Sequence, residues 1–300
     1  MVHIIECKTM QASAVKTVAD TLSSLLRDIN LTFTPYYIEN DLKDIDDVDS
    51  DEEDEEEDSE GEEVVKEKKI GGVSIKEVNK TSSILVYAKL YADKFNEYNY
   101  NYSKKKITIG INLNNFLKCL KCMTNLDAMT WILDDEDINK LNIILESSEN
   151  NIKKTFRLHL MDVEEEDLEI EPVQFPYSCC LPSQDFHKYC KDMFQSSNKI
   201  EIKCTSSKLY FSGKGEAGSA DFEVGETIGG LQIDINTDKD EIVQGLFELK
   251  YLIIFTKCTN LCNQVSLFIK NDYPLIIQYA IAALGEIKLV LSPCKPDTYE

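Results

Sequence analysis

The chain has 300 residues, a net charge of −22 and an apolar fraction of 43%, enough to bury a sizeable core in two domains or one large one. No apolar run approaches the roughly 18 residues that span a bilayer, and the N-terminal residues MVHIIECKTMQASAV lack the basic start and apolar core of a signal peptide. These features predict a soluble protein of the cytosol or nucleus with no membrane partner, whose ten cysteines stay as free thiols.

The negative charge is concentrated. Residues 41–69 hold 17 acids and four lysines, about −13, which leaves about −9 for the rest of the chain. Such a stretch has too few apolar groups to offset ordering entropy, and its like charges repel, so a disordered insertion closed by Gly71 and Gly72 is expected.

In chain order, strand signals run over 2–7, 29–35, 73–78, 84–90, 107–111 and 154–160 in the first half, with helices at 11–26 and 113–122. In the second half a helix at 183–194 precedes strands at 199–204, 208–212 and 219–224, and a helix at 245–257 precedes strands at 264–270, 275–281 and 286–291. Two short amphipathic helices per half, each preceded by a strand and followed by a run of strands, predict an α+β fold that uses one small unit repeatedly.

The helices carry a pattern of their own. Phe186, Tyr189, Cys190 and Met193 make an apolar stripe, with Lys188 and Lys191 together on the opposite side. Leu113, Phe116, Leu117 and Leu120 repeat the stripe, and Lys118 and Lys121 repeat the basic pair. Lys250 and Lys257, seven apart, are expected on one face of the fourth helix. Lysines paired on helix faces in a strongly acidic protein point to an anionic partner.

Other motifs point to chemistry less well. Cys119 and Cys122 have CxxC spacing but sit inside a predicted helix, with no second pair to complete a zinc site. Cys179 and Cys180 are neighbours in a strand-like run and should face opposite ways. Gly213 to Gly218 fits GxGxxG by letter, but the alternating residues 219–224 predict a hairpin turn there and not a dinucleotide site. His3, His159 and His187 are scattered. No enzyme activity, metal or cofactor is expected.

Residues 160–172 (LMDVEEEDLEIEP), Tyr177 to Cys179, Pro182-Ser183, Phe186 to Met193, Phe247 to Lys257, Tyr273 to Tyr279 and Leu289 to Pro293 resemble, in order, the proliferating cell nuclear antigen family of sliding clamps. Gly110 to Leu113 and Phe116 to Cys122 extend the resemblance into the first half. It implies two similar domains per chain and three chains per ring, with helices lining the hole and antiparallel sheets outside. The domains would be 1–161, carrying the insertion 41–69, and 177–294, joined by a connecting loop 162–176 and followed by a tail 295–300.

By position, the resemblance assigns contact with duplex DNA, independent of base sequence, to Lys16, Lys118, Lys121, Lys188, Lys191, Lys250 and Lys257. Thr17, Ser23 and Gln195 stand where the family often has Lys or His, which implies weaker contact with DNA. Leu168, Ile170, Pro274, Val290, Leu291, Ser292 and Pro293 match a pocket for client peptides. Subunit contact falls to strand 154–160, with Phe156, Leu158 and Leu160 on one face, and to the strand carrying Ala220, Phe222 and Val224. The implied function is a DNA polymerase processivity factor of DNA replication and repair, in the nucleus or at a viral cytoplasmic replication site. DNA polymerase, other clients with PIP-like motifs and a clamp loader would be its partners. A homotrimer is expected; a subunit of a heterotrimeric checkpoint-type clamp, or a monomeric clamp-like interaction module, is the alternative.

Overall fold

The computed structural model describes residues 3–38, 69–124, 127–147, 151–162, 173–216, 218–237 and 241–294. The first half holds β1 (His3–Thr9), α1 (Ala12–Ser23), β2 (Asp28–Ile38), β3 (Lys69–Val78), β4 (Ile84–Tyr91) and β5 (Glu97–Tyr100). It continues with β6 (Ile107–Asn112), α2 (Leu113–Leu120), β7 (Ala128–Asp134), β8 (Lys140–Ser147) and β9 (Ile152–His159). The second half repeats the order with β10 (Tyr177–Pro182), α3 (Ser183–Phe194), β11 (Lys199–Cys204), β12 (Lys208–Gly215), β13 (Gly218–Gly225) and β14 (Gln232–Ile235). Then come β15 (Val243–Glu248), α4 (Leu249–Phe255), a 3-10 turn Thr256–Asn260, β16 (Gln264–Ile269), β17 (Leu275–Ile281) and β18 (Gly285–Leu291).

Pairing repeats as well. The order β5-β1-β7-β8-β9 recurs as β14-β10-β16-β17-β18, and β4-β3-β2-β6 recurs as β13-β12-β11-β15. Within the chain β18 pairs antiparallel with β4, from Gly285 opposite Leu90 to Leu291 opposite Ile84, which fuses two of these sheets into one of nine strands. This is the two-unit α+β architecture that the resemblance implies.

Strict alternation places the core. In β4, Ile84, Val86, Ala88 and Leu90 are buried, and in β18 so are Ile287, Leu289 and Leu291. The helices lie over this face, with Leu113, Phe116, Leu117 and Leu120 of α2 and Phe186, Cys190 and Met193 of α3 turned into it. Trp131 closes the first unit by meeting Phe33 and Phe116 edge-on. Each such large apolar side chain contributes about 1.5–3 kcal/mol by leaving water.

Several boundaries differ from the sequence expectation. Residues 245–248 lie in β15, not in a helix, because Val243 and Phe247 alternate into the core while the strand pairs with β11; α4 keeps only Leu249–Phe255. β5, β7, β8, β14 and β15 are strands beyond those predicted. β3 begins at Lys69, so Gly71 and Gly72 belong to the strand and do not close a loop. Gly72 has φ 133°, and a Cβ there would lie 2.0 Å from the Leu90 carbonyl oxygen, so only glycine fits. The Tyr98 hydroxyl donates to the carbonyls of Thr34 (2.6 Å) and Gly72 (3.0 Å), pinning the irregularity between β2 and β3. Residues 41–68 of the expected insertion lie outside the described residues.

Candidate functional site

The four helices form one layer, since α1 packs on α2, α3 on α4, and the 3-10 turn after α4 touches both α1 and α3. Their buried stripes face the sheets. Lys118, Lys121, Lys188, Lys191, Lys250 and Lys257 are exposed, and Lys16 is half-exposed. Across the helices, their caps and the turn, these seven lysines stand against Asp20, Asp185, Asp192 and Glu248. The layer is therefore cationic in a chain of net charge −22.

One expectation within the layer needs correction. Lys250 and Lys257 do not share a helix face, because the α-helix stops at Phe255 and Lys257 sits in the 3-10 turn, whose tighter winding changes the side-chain direction. Lys250 pairs with Glu248 and lies 4.6 Å from the Tyr251 ring centre. Lys257 instead reaches across to α1, where its Nζ is 3.1 Å from Asp20 Oδ2. Lys16, Asp20, Gln184, His187, Lys257 and Asn260 line a groove where α1, α3 and the turn meet.

Of the six strands that end the three described sheets, β9 and β13 carry the expected subunit contacts. β9 ends one sheet and β13 another, and neither has a second strand partner among the described residues. Phe156, Ala220, Phe222 and Val224 are half-buried on the inner side of these edges. Leu158 is only 7% exposed and belongs to its own chain's core, so it supports the edge from behind. Leu160 lies just beyond β9, held by its N–H to Asn139. On the other side the edges differ in sign: Lys153, Arg157 and His159 project from β9, Asp221 and Glu223 from β13.

A third feature crosses the β18–β4 junction. Val78 pairs with Leu85, Leu85 with Val290, Val290 with Ile276, and Ile276 with Phe268. All five are half-buried, and Leu85, Val290, Ile276 and Phe268 alternate with core residues, so the five form one apolar row on the face away from the helices. Phe175 packs on Phe268 and Tyr273 at one end of the row, both with ring centres 5.7 Å apart. Pro274, Ser292 and Pro293 flank it, with the Ser292 N–H donating to the Ser83 carbonyl at 3.0 Å. Leu291 does not belong to it. At 1% exposed, its side chain points to the core on the opposite face. Leu168 and Ile170 lie outside the described residues.

Val78, Leu85, Ile276, Phe268, Phe175 and Tyr273 were missed by the sequence reading. Alternation within each strand would have shown that they face outward, but only the register shows that they align.

The repeat yields counterparts by counting along the ladders. Leu113 and Leu249 open α2 and α4, and the residues before them pair with Asp28 and Lys199, so Asp28 and Lys199 correspond. The same counting matches Lys16 with His187, Val86 with Ala220, and Phe156 with Leu289. The counterparts of the apolar row are Lys214, Ser219, Arg157, Asn142 and Ile132, of which only Ile132 is apolar. The row is thus a property of the β18–β4 junction alone.

The remaining motifs carry no reactive geometry. Burial pushes the Cys258 thiol up to about 12 and raises that of Cys190, keeping both protonated and poorly nucleophilic. Cys179 is buried and Cys180 half-exposed, as opposite faces require. Gly213 and Gly215 lie in the hairpin of β12 and β13, with Gly215 opposite Gly218. No group of three or more His, Cys, Asp or Glu side chains converges among the described residues, and no described helix is long and apolar enough to cross a membrane.

Comparison with known proteins agrees with this repeat. The family model "Proliferating cell nuclear antigen, N-terminal domain" matches residues 62–168, and "Proliferating cell nuclear antigen, C-terminal domain" matches residues 169–294. The chain is 28% identical over 293 residues, 97% of its length, to a protein of Acanthamoeba polyphaga mimivirus described as "Probable DNA polymerase sliding clamp". It spans 62% of the length of that relative. With one domain model on each half of a doubled β-α-β unit, the chain belongs to the proliferating cell nuclear antigen family.

Proposed function

We propose that the chain is a DNA sliding clamp and DNA polymerase processivity factor, whose copies close into a ring around duplex DNA and tether polymerases and repair proteins without catalysing a reaction. The observation that carries this reading is the cationic helix layer. Lysines distributed over four helices attract the phosphate backbone without reading bases, and an acidic remainder repels DNA from every other surface. Lys16, Lys118, Lys121, Lys188, Lys191, Lys250 and Lys257 supply that attraction.

The β18–β4 pairing within the chain is a template for pairing between chains. β9 is the counterpart of β18 and β13 of β4, so β9 of one copy adds to β13 of the next. Because Leu289 pairs with Val86, Phe156 should oppose Ala220, and counting outward puts Lys153 opposite Glu223. Such a head-to-tail contact closes into a ring when its rotation allows. The family suggests three copies, a loader to open the ring, and a nuclear or viral cytoplasmic replication site. The chain then comprises domains 1–161 and 177–294 with the connecting loop 162–176 between them.

Clients bind along the apolar row at Val290, Pro274, Ser292 and Pro293, and Leu168 and Ile170 of the connecting loop contribute to the same binding. The polar counterpart row at the β9–β13 junction limits each copy to one such site.

Light scattering of the purified chain tests the assembly, with a mass near three times 34.2 kDa expected. Primer extension on a long template tests the function: the chain should lengthen the products of its cognate polymerase. A monomer that leaves product length unchanged would favour a clamp-like interaction module instead.

A further inference from the structure

His187 is the fifth residue of α3, as Lys16 is the fifth of α1, and both helices have twelve residues. The two counterparts line the same groove, and Lys257 on the 3-10 turn lines it too. His187 Nδ1 is shut off from solvent and makes no hydrogen bond among the described residues. That leaves Nε2 as the ring nitrogen that a ligand in the groove can meet. We propose that His187 is a proton-dependent contact for the phosphate backbone of duplex DNA, completing a phosphate-binding cleft with Lys16 and Lys257; this rests on the sliding-clamp reading above.

The chemistry follows from the neighbours. The charged groups that line the groove with His187 are Lys16 and Asp20 on α1 and Lys257 on the turn; its own helix also carries Asp185, Lys188, Lys191 and Asp192, and α4, packed against it, carries Lys250. The strands beneath α3 present Cys179, Leu209, Phe211, Val265 and Leu267, none of them charged. Asp20 is engaged by Lys257. Among the described residues no carboxylate is bonded to the imidazole. An imidazolium donates a charge-assisted hydrogen bond to a phosphate oxygen, whereas neutral imidazole brings no charge. Proton and phosphate therefore favour each other's binding. Lys16 supplies one half of the cleft, and His187 supplies the proton-dependent other half.

The test measures affinity for a short labelled duplex at low salt, at about pH 6 and about pH 8, on either side of an ordinary histidine's titration. The wild-type protein should gain about threefold more affinity on acidification than His187→Gln, the size expected of one exposed charge contact. His187→Lys, which copies the counterpart position, should hold the higher affinity at both pH values. Lys16→Gln should lower affinity at both without changing the ratio. Assembly mass and melting midpoint should be unaltered in all three. A wild-type ratio in His187→Gln or in His187→Lys would overturn the proposal. A wild-type protein with no affinity at either pH would instead sink the sliding-clamp reading, and this inference with it.

Discussion

Lys257 Nζ lies 3.1 Å from Asp20 Oδ2 and 2.9 Å from Ser24 Oγ, joining the turn after α4 to α1 across 237 positions of sequence. Both charged side chains are about half exposed, at 42% and 58%, so the pair is worth at most about 1 kcal/mol. Its larger effect is to place a carboxylate in the lysine-lined groove. Asp20→Asn should leave the melting midpoint nearly unchanged and strengthen duplex binding by about two- to fivefold at low salt, less at high salt. Weaker binding in the variant would mean that Asp20 orients Lys257 productively.

Lys118, Lys121, Lys188 and Lys191 are exposed opposite buried stripes. Changing all four to Ala should preserve assembly mass and reduce DNA-dependent loading or processivity, most at low salt, and make it less sensitive to salt than wild type. Loading that matches wild type across a salt series would remove these residues from the DNA path.

The edge strands carry opposite charges on the face away from the core. Lys153→Glu should weaken assembly by about tenfold or less, since like charges facing across a ladder repel. Adding Glu223→Lys should restore most of it. In-chain pairs of Lys153 with Glu146 and of Glu223 with Lys208 make the two single changes unequal, which a double-mutant cycle resolves. Additive losses would show that the two residues do not meet and that the β18–β4 register does not carry over between copies.

Val290 and Leu291 are neighbours with opposite fates. Val290→Asp should cost client-peptide affinity about 1–2 kcal/mol or more, as an anchor site does, and leave the fold intact. Leu291→Ala should cost about 2–5 kcal/mol of stability with little effect on peptide affinity per folded molecule. Calorimetry on both variants separates them, and an unchanged affinity in Val290→Asp would move the client site off the apolar row. Leu168→Ala with Ile170→Ala should lower the same affinity.

Ile38 and Lys69 are cross-strand partners, so the chain leaves the ladder and rejoins it at paired positions. Replacing residues 39–68 with Asn-Gly, which suits a two-residue hairpin, should preserve assembly and client affinity. Lys69 and Val78 stand at opposite ends of β3, roughly 30 Å apart at 3.3 Å per residue, and it is the Val78 end that meets Leu85 and Val290. Loss of peptide binding with assembly intact would place the acidic segment on the client face.

Much of this was legible in the sequence because alternation and helical spacing are local. The four helices, the lysine pairs of α2 and α3, the GxGxxG hairpin and the strand ends at 199–204 and 275–281 follow from periodicity and turn chemistry over a few residues. The short strand β5, and β15 running directly into α4, were not, because pairing with distant partners overrides weak local preference. Composition alone also determined that the acidic charge is concentrated in one segment. Only the tertiary structure decided which residues meet. Register aligned Val78, Leu85, Val290, Ile276 and Phe268 from five strands, turned Leu291 inward, and brought Lys257 to Asp20. Those relationships depend on ladders between residues far apart in the chain, and no local pattern encodes the register of a strand with a partner 200 positions away.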